Sequence, residues 1–159
     1  MLSLQARPDV APVLVLAIGN PSRGDDALGP LAAQALAELA LPGVEVLPDF
    51  QLQVEHALDL LGRSLVVFID AAVTGVAPFE FRPLAPAADV RHSTHSLSPA
   101  AVLDAYRRLT GEEPPSALLL AIRGYGFELG APLSEKAAVN LQAALLAFTP
   151  AMDRALAGI

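Results

Sequence analysis

Val13-Leu14-Val15-Leu16-Ala17-Ile18 is apolar at every position and stops abruptly at Gly19-Asn20-Pro21. A strand with one face in water alternates apolar and polar side chains. One that is apolar throughout is buried on both faces, between two layers. A second such run, Leu65-Val66-Val67-Phe68-Ile69, ends in Asp70. Between them Leu28, Leu31, Ala32, Ala35 and Leu39 recur at helical spacing, and residues 54–61 do so over a shorter stretch. Strands and helices alternating in this way build right-handed βαβ units around a parallel sheet. In such open sheets ligands bind beyond the carboxyl ends of the strands.

Strands are expected over residues 13–18, 44–47, 65–70, 79–84 and 117–122. Phe79-Glu80-Phe81-Arg82-Pro83 alternates, as a half-exposed strand does, and Pro83 favours a sheet edge. The stretch between Asp70 and Phe79 is too short for a helical crossover, so this strand is expected to run antiparallel. Helices are expected over residues 27–39, 54–61 and 99–109, the third capped by Ser98 with Pro99 at its first position. A last helix starts at Ser134 and passes Leu146, with Pro150 dividing off a short terminal piece. The expected fold is a three-layer α/β/α sandwich with a five-stranded, mostly parallel sheet containing one antiparallel strand. Residues 1–159 read as a single domain, with residues 1–12 as a loose N-terminal extension.

Composition narrows the chemistry. Cysteine is absent, which excludes disulfides, thiolate metal sites and a cysteine nucleophile, and fits a reducing compartment such as the cytoplasm. A net charge of −7 argues against a nucleic-acid surface. Lys136 is the only lysine, so lysine catalysis is disfavoured. No apolar run approaches the roughly 20 residues that span a bilayer, and no membrane association is expected. Gly19-Asn20-Pro21 imitates a phosphate loop, but both G-x-G-x-x-G and a P-loop lysine are missing, which disfavours a nucleotide-binding domain; no organic cofactor is expected. No G-x-S-x-G elbow supports Ser93 or Ser96 as a nucleophile.

The chemistry-bearing residues gather at expected strand ends. Asp25 and Asp26 follow the first strand, Asp70 ends the third, and His92 and His95 lie in a loop entering a helix. If the first and third strands are neighbours where the winding reverses, their loops line one crevice. Two carboxylates and an imidazole there suit a divalent cation such as zinc, nickel, manganese or iron, with a position left open for substrate. Competing readings stand beside this one. One of Asp25 and Asp26 is expected to cap the following helix, Asp70 suits an Asx-turn, and the histidines suit a solvated loop. Asp49 and Glu128 read as turn and loop acids that also lie near strand ends.

Leu16-Ala17-Ile18-Gly19-Asn20-Pro21 followed by Gly24-Asp25-Asp26 and Gly29 resembles the opening motif of the hydrogenase maturation proteases. Phe68-Ile69-Asp70-Ala71 and Thr94-His95-Ser96-Leu97-Ser98 resemble that family's second and third motifs, in the right order. The resemblance covers nearly the whole chain. It implies an α/β/α sandwich with one antiparallel strand, and metal contact through Asp26, Asp70 and His95. Asp25 falls on the family's first acid of the pair. Two departures stand out: Ala27 where the family often has glycine, and Asp49-Phe50-Gln51-Leu52-Gln53 where it often has a glycine-rich turn. With Arg123-Gly124-Tyr125-Gly126-Phe127-Glu128-Leu129-Gly130, the second departure looks like the branch serving soluble, NAD-reducing hydrogenases.

The resemblance implies an aspartyl-type endopeptidase that removes the C-terminal extension of a nickel-iron hydrogenase large-subunit precursor after nickel insertion. The nickel would be supplied by that precursor, and a monomeric protease is expected. The alternative from another class is a non-enzymatic, metallochaperone-like α/β module binding a metal or a partner during hydrogenase assembly.

Overall fold

The computed structural model describes residues 9–89 and 96–159. Its strands are β1 (Val13–Ile18), β2 (Val44–Asp49), β3 (Leu65–Ala72), β4 (Phe79–Pro83) and β5 (Ser116–Arg123). They form one sheet in the order β2-β1-β3-β5-β4, parallel throughout except for the β4–β5 pair. Pro83 thus lies on an edge strand, where a residue without an N–H is tolerated. The helices are α1 (Leu28–Leu39), α2 (His56–Asp59), α3 (Pro99–Thr110) and α4 (Glu135–Ala157), with a 3-10 turn over Gly24–Ala27 before α1.

The two apolar runs are buried on both faces because the sheet is covered twice. Val13, Val15 and Ala17 of β1 and Leu65, Val67 and Ile69 of β3 pack against Leu28, Ala32 and Leu36 of α1 and Leu141, Ala144 and Phe148 of α4. The alternate residues Leu14, Leu16 and Ile18, with Val66 and Phe68, face Ala57 of α2 and Val102, Leu103 and Tyr106 of α3. No helix among the described residues is long and apolar enough to cross a membrane.

Several boundaries differ from the sequence-based expectation. The third strand does not end at Asp70, because Ala71 and Ala72 go on pairing with Ile122 and Arg123. The second runs on to Asp49, paired with Ile18. The helix expected over residues 54–61 shrinks to one turn, because His56, Ala57 and Leu58 each donate to a carbonyl three residues back, a 3-10 pattern that propagates poorly. Pro150 does not divide α4: the carbonyl it leaves without an N–H belongs to Leu146, which is 82% exposed, so water can take that bond. At the other end Ala11 and Pro12 are not loose. The Pro12 carbonyl accepts from Ser64 and Leu65, and the Ala11 carbonyl accepts from Arg63.

Candidate functional site

β2 lies on one side of β1 and β3 on the other, so the winding reverses at β1 and a crevice opens beyond the strand ends. β1 pairs with β3 only as far as Ala17 opposite Ile69. β1 ends one residue further on, at Ile18, whereas β3 continues to Ala72, so Asp70 lies where the β1 side of β3 runs out. The 3-10 turn that follows β1 contacts β3 and brings Asp26 there. Asp70 lies on the Val66–Phe68 face by strand alternation. Burial pushes its carboxyl up to about 7, against the pull of an Ala71 N–H at 2.8 Å, and the negative charge of Asp26 adds to the push. Asp26 is therefore near enough to Asp70 for its charge to be felt there. The Ala71 contact is not the two-residue Asx-turn, so that competing reading falls.

Asp26 is held from behind. The Asn20 N–H donates to its Oδ2 at 2.6 Å. Gly19 has a positive φ of 152°, and a Cβ built on it would run into the Asp26 backbone carbonyl. A Cβ on Gly29 would run into the Ile18 carbonyl, so the missing side chain lets the start of α1 sit against the end of β1. Gly29→Ala is expected to push the two apart at a cost of about 1–3 kcal/mol. A lowered urea midpoint at unchanged slope would show this, and an unaltered midpoint would refute the close-packing account.

Neither aspartate caps α1, contrary to expectation: its N-cap position is Ala27, and no side chain bonds there. Asp25 instead points into the protein and is fully buried. Its Oδ2 accepts from the Tyr125 N–H at 2.7 Å, the Gly126 N–H at 3.2 Å and the Ser134 hydroxyl at 2.8 Å, while Oδ1 accepts from the Ser134 N–H at 2.7 Å. Burial alone would raise this carboxyl, but the bonds from Ser134, Tyr125 and Gly126 outweigh it and hold it below its ordinary 3.8. Ser134 also accepts from the Ala137 N–H and caps α4, as the sequence suggests. The partners of Asp25 lie 100 to 109 residues along the chain, and no local pattern reveals them.

His92, His95 and Ser93 lie outside the described residues. The residues on either side are tied together: Asp89 accepts from the Ser98 N–H at 2.9 Å and from the Ser98 hydroxyl at 2.6 Å. The Leu97 N–H donates to the Leu52 carbonyl, and Ser98 caps α3 as expected by accepting from Ala101. Among the described residues no group of three or more His, Asp or Glu could hold a metal. Of the expected set, Asp26 and Asp70 are brought together.

Asp49 is the last residue of β2, and its carboxylate serves the turn that follows. It accepts from the Phe50 N–H at 2.7 Å and meets His56 Nε2 at 3.1 Å, while the Gln53 N–H donates to His56 Nδ1 at 2.9 Å. With Nδ1 accepting, the neutral ring carries its proton on Nε2 and donates it to Asp49. Glu128 is exposed in the loop after β5. Beside Asp70 lies a cleft of about 550 Å³ reaching Glu80 and Arg82 on β4, neither of which was a sequence candidate. The available signal was the alternation of Phe79-Glu80-Phe81-Arg82, which puts both charges on one face.

Fold and acids together define a doubly wound α/β protein with two carboxylates at the strand ends where the sheet changes winding direction. Among the solved structures it resembles are hydrogenase maturation proteases, in agreement with the resemblance read from the sequence. The [NiFe] hydrogenase maturation protease HycI from Thermococcus kodakarensis is 28% identical, with a TM-score of 0.67 over 87% of this chain and 91% of that one. The hydrogenase maturating endopeptidase HybD from Escherichia coli is 25% identical, with a TM-score of 0.71 over 89% of this chain and 92% of that one. HybD from Thermococcus kodakarensis, at 22% identity and a TM-score of 0.65 over 87% and 97%, is alike in fold. No protein-family model and no curated protein matches the chain.

Proposed function

We propose that this protein is an endopeptidase of hydrogenase maturation, which removes the C-terminal extension of a nickel-iron hydrogenase large-subunit precursor once nickel is inserted. One observation carries the reading: Asp26 lies near enough to Asp70, at the strand ends beside the switch point, for its negative charge to raise the Asp70 pKa, in a fold shared with such endopeptidases. His95 is the proposed third contact. It precedes Leu97 and Ser98, which are anchored, and Pro99, which lines the cleft beside Asp70.

The donor set suits a borderline divalent ion such as nickel. The nickel carried by the precursor would polarise the scissile carbonyl or lower the pKa of an attacking water. Asp70, with a carboxyl at about 7, holds and releases a proton near neutral pH, the property a general base needs. Asp26, oriented by Asn20, would stay on the metal. The Asp49–Gln53 and Arg123–Gly130 segments support a narrower proposal, service to a soluble NAD-reducing hydrogenase in the cytoplasm.

The test is incubation of purified precursor, nickel-loaded or nickel-free, with the protease, followed by mass spectrometry of the C-terminus. Cleavage of the loaded form alone is expected. Asp26→Asn and His95→Ala should each lower it by a factor of about 100 or more at unchanged melting temperature. Equal cleavage of nickel-free precursor would remove the nickel requirement. Stable binding without a mass change would favour the non-enzymatic module.

A further inference from the structure

The 550 Å³ cleft beside Asp70 lies in the size range of ligand sites, and its construction indicates what it receives. Asp70, Ala121 and Glu80 are aligned across β3, β5 and β4, and Phe68, Leu119 and Arg82 form the next row. Residues aligned in this way share one face of a sheet. The cleft therefore crosses the sheet from the acid site to the edge strand, a distance of roughly 10 Å for two strand spacings. Its floor is Ala121 and Leu119, small or apolar. One wall is the segment after β3, where Val73 and Val76 are 63% and 59% exposed. That wall is fixed: Arg123 donates to the Gly75 carbonyl at 2.9 Å, and the Gly124 N–H donates to the Ala72 carbonyl at 2.9 Å. Pro99, at the start of α3, also lines the cleft.

The far end holds an under-used cation. Arg82 meets Glu80 at 3.7 Å, beyond hydrogen-bonding distance, with side chains 58% and 41% exposed. A guanidinium presents five N–H donors in a planar fork suited to carbonyl and carboxylate oxygens. A fixed wall with exposed valines, a smooth floor, a fork of donors at one end and a carboxylate at the other match an extended peptide. About three residues would span the distance at 3.3 Å each.

We propose that this cleft seats the precursor's chain next to the scissile bond, and that Arg82 anchors it by binding a carboxylate or main-chain carbonyl about three residues away. This rests on the endopeptidase reading above. Glu80 competes for Arg82 when the cleft is empty, and so sets how tightly the peptide is held. Arg82 is a specificity determinant and takes no part in the bond-breaking step.

The experiment uses the full-length protease with its nickel-loaded precursor, and separately a fluorescein-labelled synthetic peptide spanning the cleavage point, followed by anisotropy. Arg82→Glu should raise KM and weaken peptide binding by about tenfold, with kcat and melting temperature unchanged. Arg82→Ala should do the same to a lesser degree. Glu80→Gln should leave KM the same or lower. Peptides with each acidic residue replaced by its amide separate the two sources of oxygen: a loss confined to one position identifies a carboxylate, and no loss identifies a main-chain carbonyl. Unchanged KM and peptide affinity in Arg82→Glu would overturn the proposal, as would a rise in KM for Glu80→Gln matching that of Arg82→Ala. If wild type cleaves nothing yet binds the peptide through Arg82, the endopeptidase reading falls and the cleft stands. If neither occurs, both fall.

Discussion

Asp70→Asn is expected to melt at a higher temperature than wild type above neutral pH while processing no detectable precursor. The two effects have one cause. In the unfolded chain the carboxyl ionises at its ordinary 3.8, whereas in the folded protein burial holds it at about 7, with the charge of Asp26 adding to the rise. Between those values the folded state keeps a proton that the unfolded state has released, so stability falls with each pH unit upward. Below the window both states are protonated and nothing is lost; above it both are ionised and the full cost remains. Three units at about 1.4 kcal/mol each set a ceiling near 4 kcal/mol. Asparagine removes the charge but keeps a buried polar group, so a gain of roughly 1–3 kcal/mol is expected, or about 3–10 °C in melting temperature. The gain should vanish in acid, below the ordinary carboxylate value. Loss of the proposed base and metal contact would lower processing by a factor of 100 to 10,000 or so. A melting difference between variant and wild type that stays constant across pH would show that Asp70 ionises normally. Stability given up at a reactive group is a common feature of active sites.

The sheet was legible because period and length carry it. Six apolar residues with no polar face can only be buried on both sides, and the structure covers β1 twice. The antiparallel edge strand followed from the short stretch before Phe79 and from Pro83. Where strands stop was not legible. Asp70 looked like a strand end because an acid follows five apolar residues, yet pairing to β5 carries the strand two residues further and leaves the acid inside the site. That overshoot gives Asp70 its burial and its displaced pKa. Asp26 and Asp70 could be picked by motif, and His95 was picked in the same way but falls outside the described residues. Glu80 and Arg82 could not be picked: their relation to Asp70 depends on β5 inserting between β3 and β4, a non-local pairing that no local pattern encodes. Asp25 beside Asp26 is the sharpest case. Of two identical residues adjacent in sequence, Asp25 is fully buried and bound to the segment before α4, whereas Asp26 accepts from Asn20 and its charge reaches Asp70.

Asp25 should accordingly be the costlier of the pair for folding and the less direct for chemistry. Its carboxylate collects three backbone N–H groups and one hydroxyl, all from the segment between β5 and α4. Asp25→Ala would strand those donors in a site that is fully buried in the wild type. Each unsatisfied donor costs about 1–3 kcal/mol, and with partial relaxation a total on the order of 4 kcal/mol is expected, near 10 °C in melting temperature. Asp25→Asn can keep an oxygen toward the Tyr125 N–H, the Gly126 N–H and the Ser134 hydroxyl, but turns a donor toward the Ser134 N–H. It should lie between Asp25→Ala and wild type. The pH signature is opposite to that of Asp70. Because hydrogen bonding holds the folded carboxyl below 3.8, its contribution is complete above that value and is lost as pH falls through the folded one. Asp25→Ala should therefore flatten the acid limb of the stability curve, where wild type declines. Since Asp25 fixes the turn from which Asp26 projects, Asp25→Asn should retain measurable processing at temperatures where it is folded, whereas Asp26→Asn should keep wild-type stability and lose processing. A melting temperature for Asp25→Ala within about 2 °C of wild type would refute the latch, and equal loss of processing in folded Asp25→Asn and Asp26→Asn would erase the division of labour between the two neighbours.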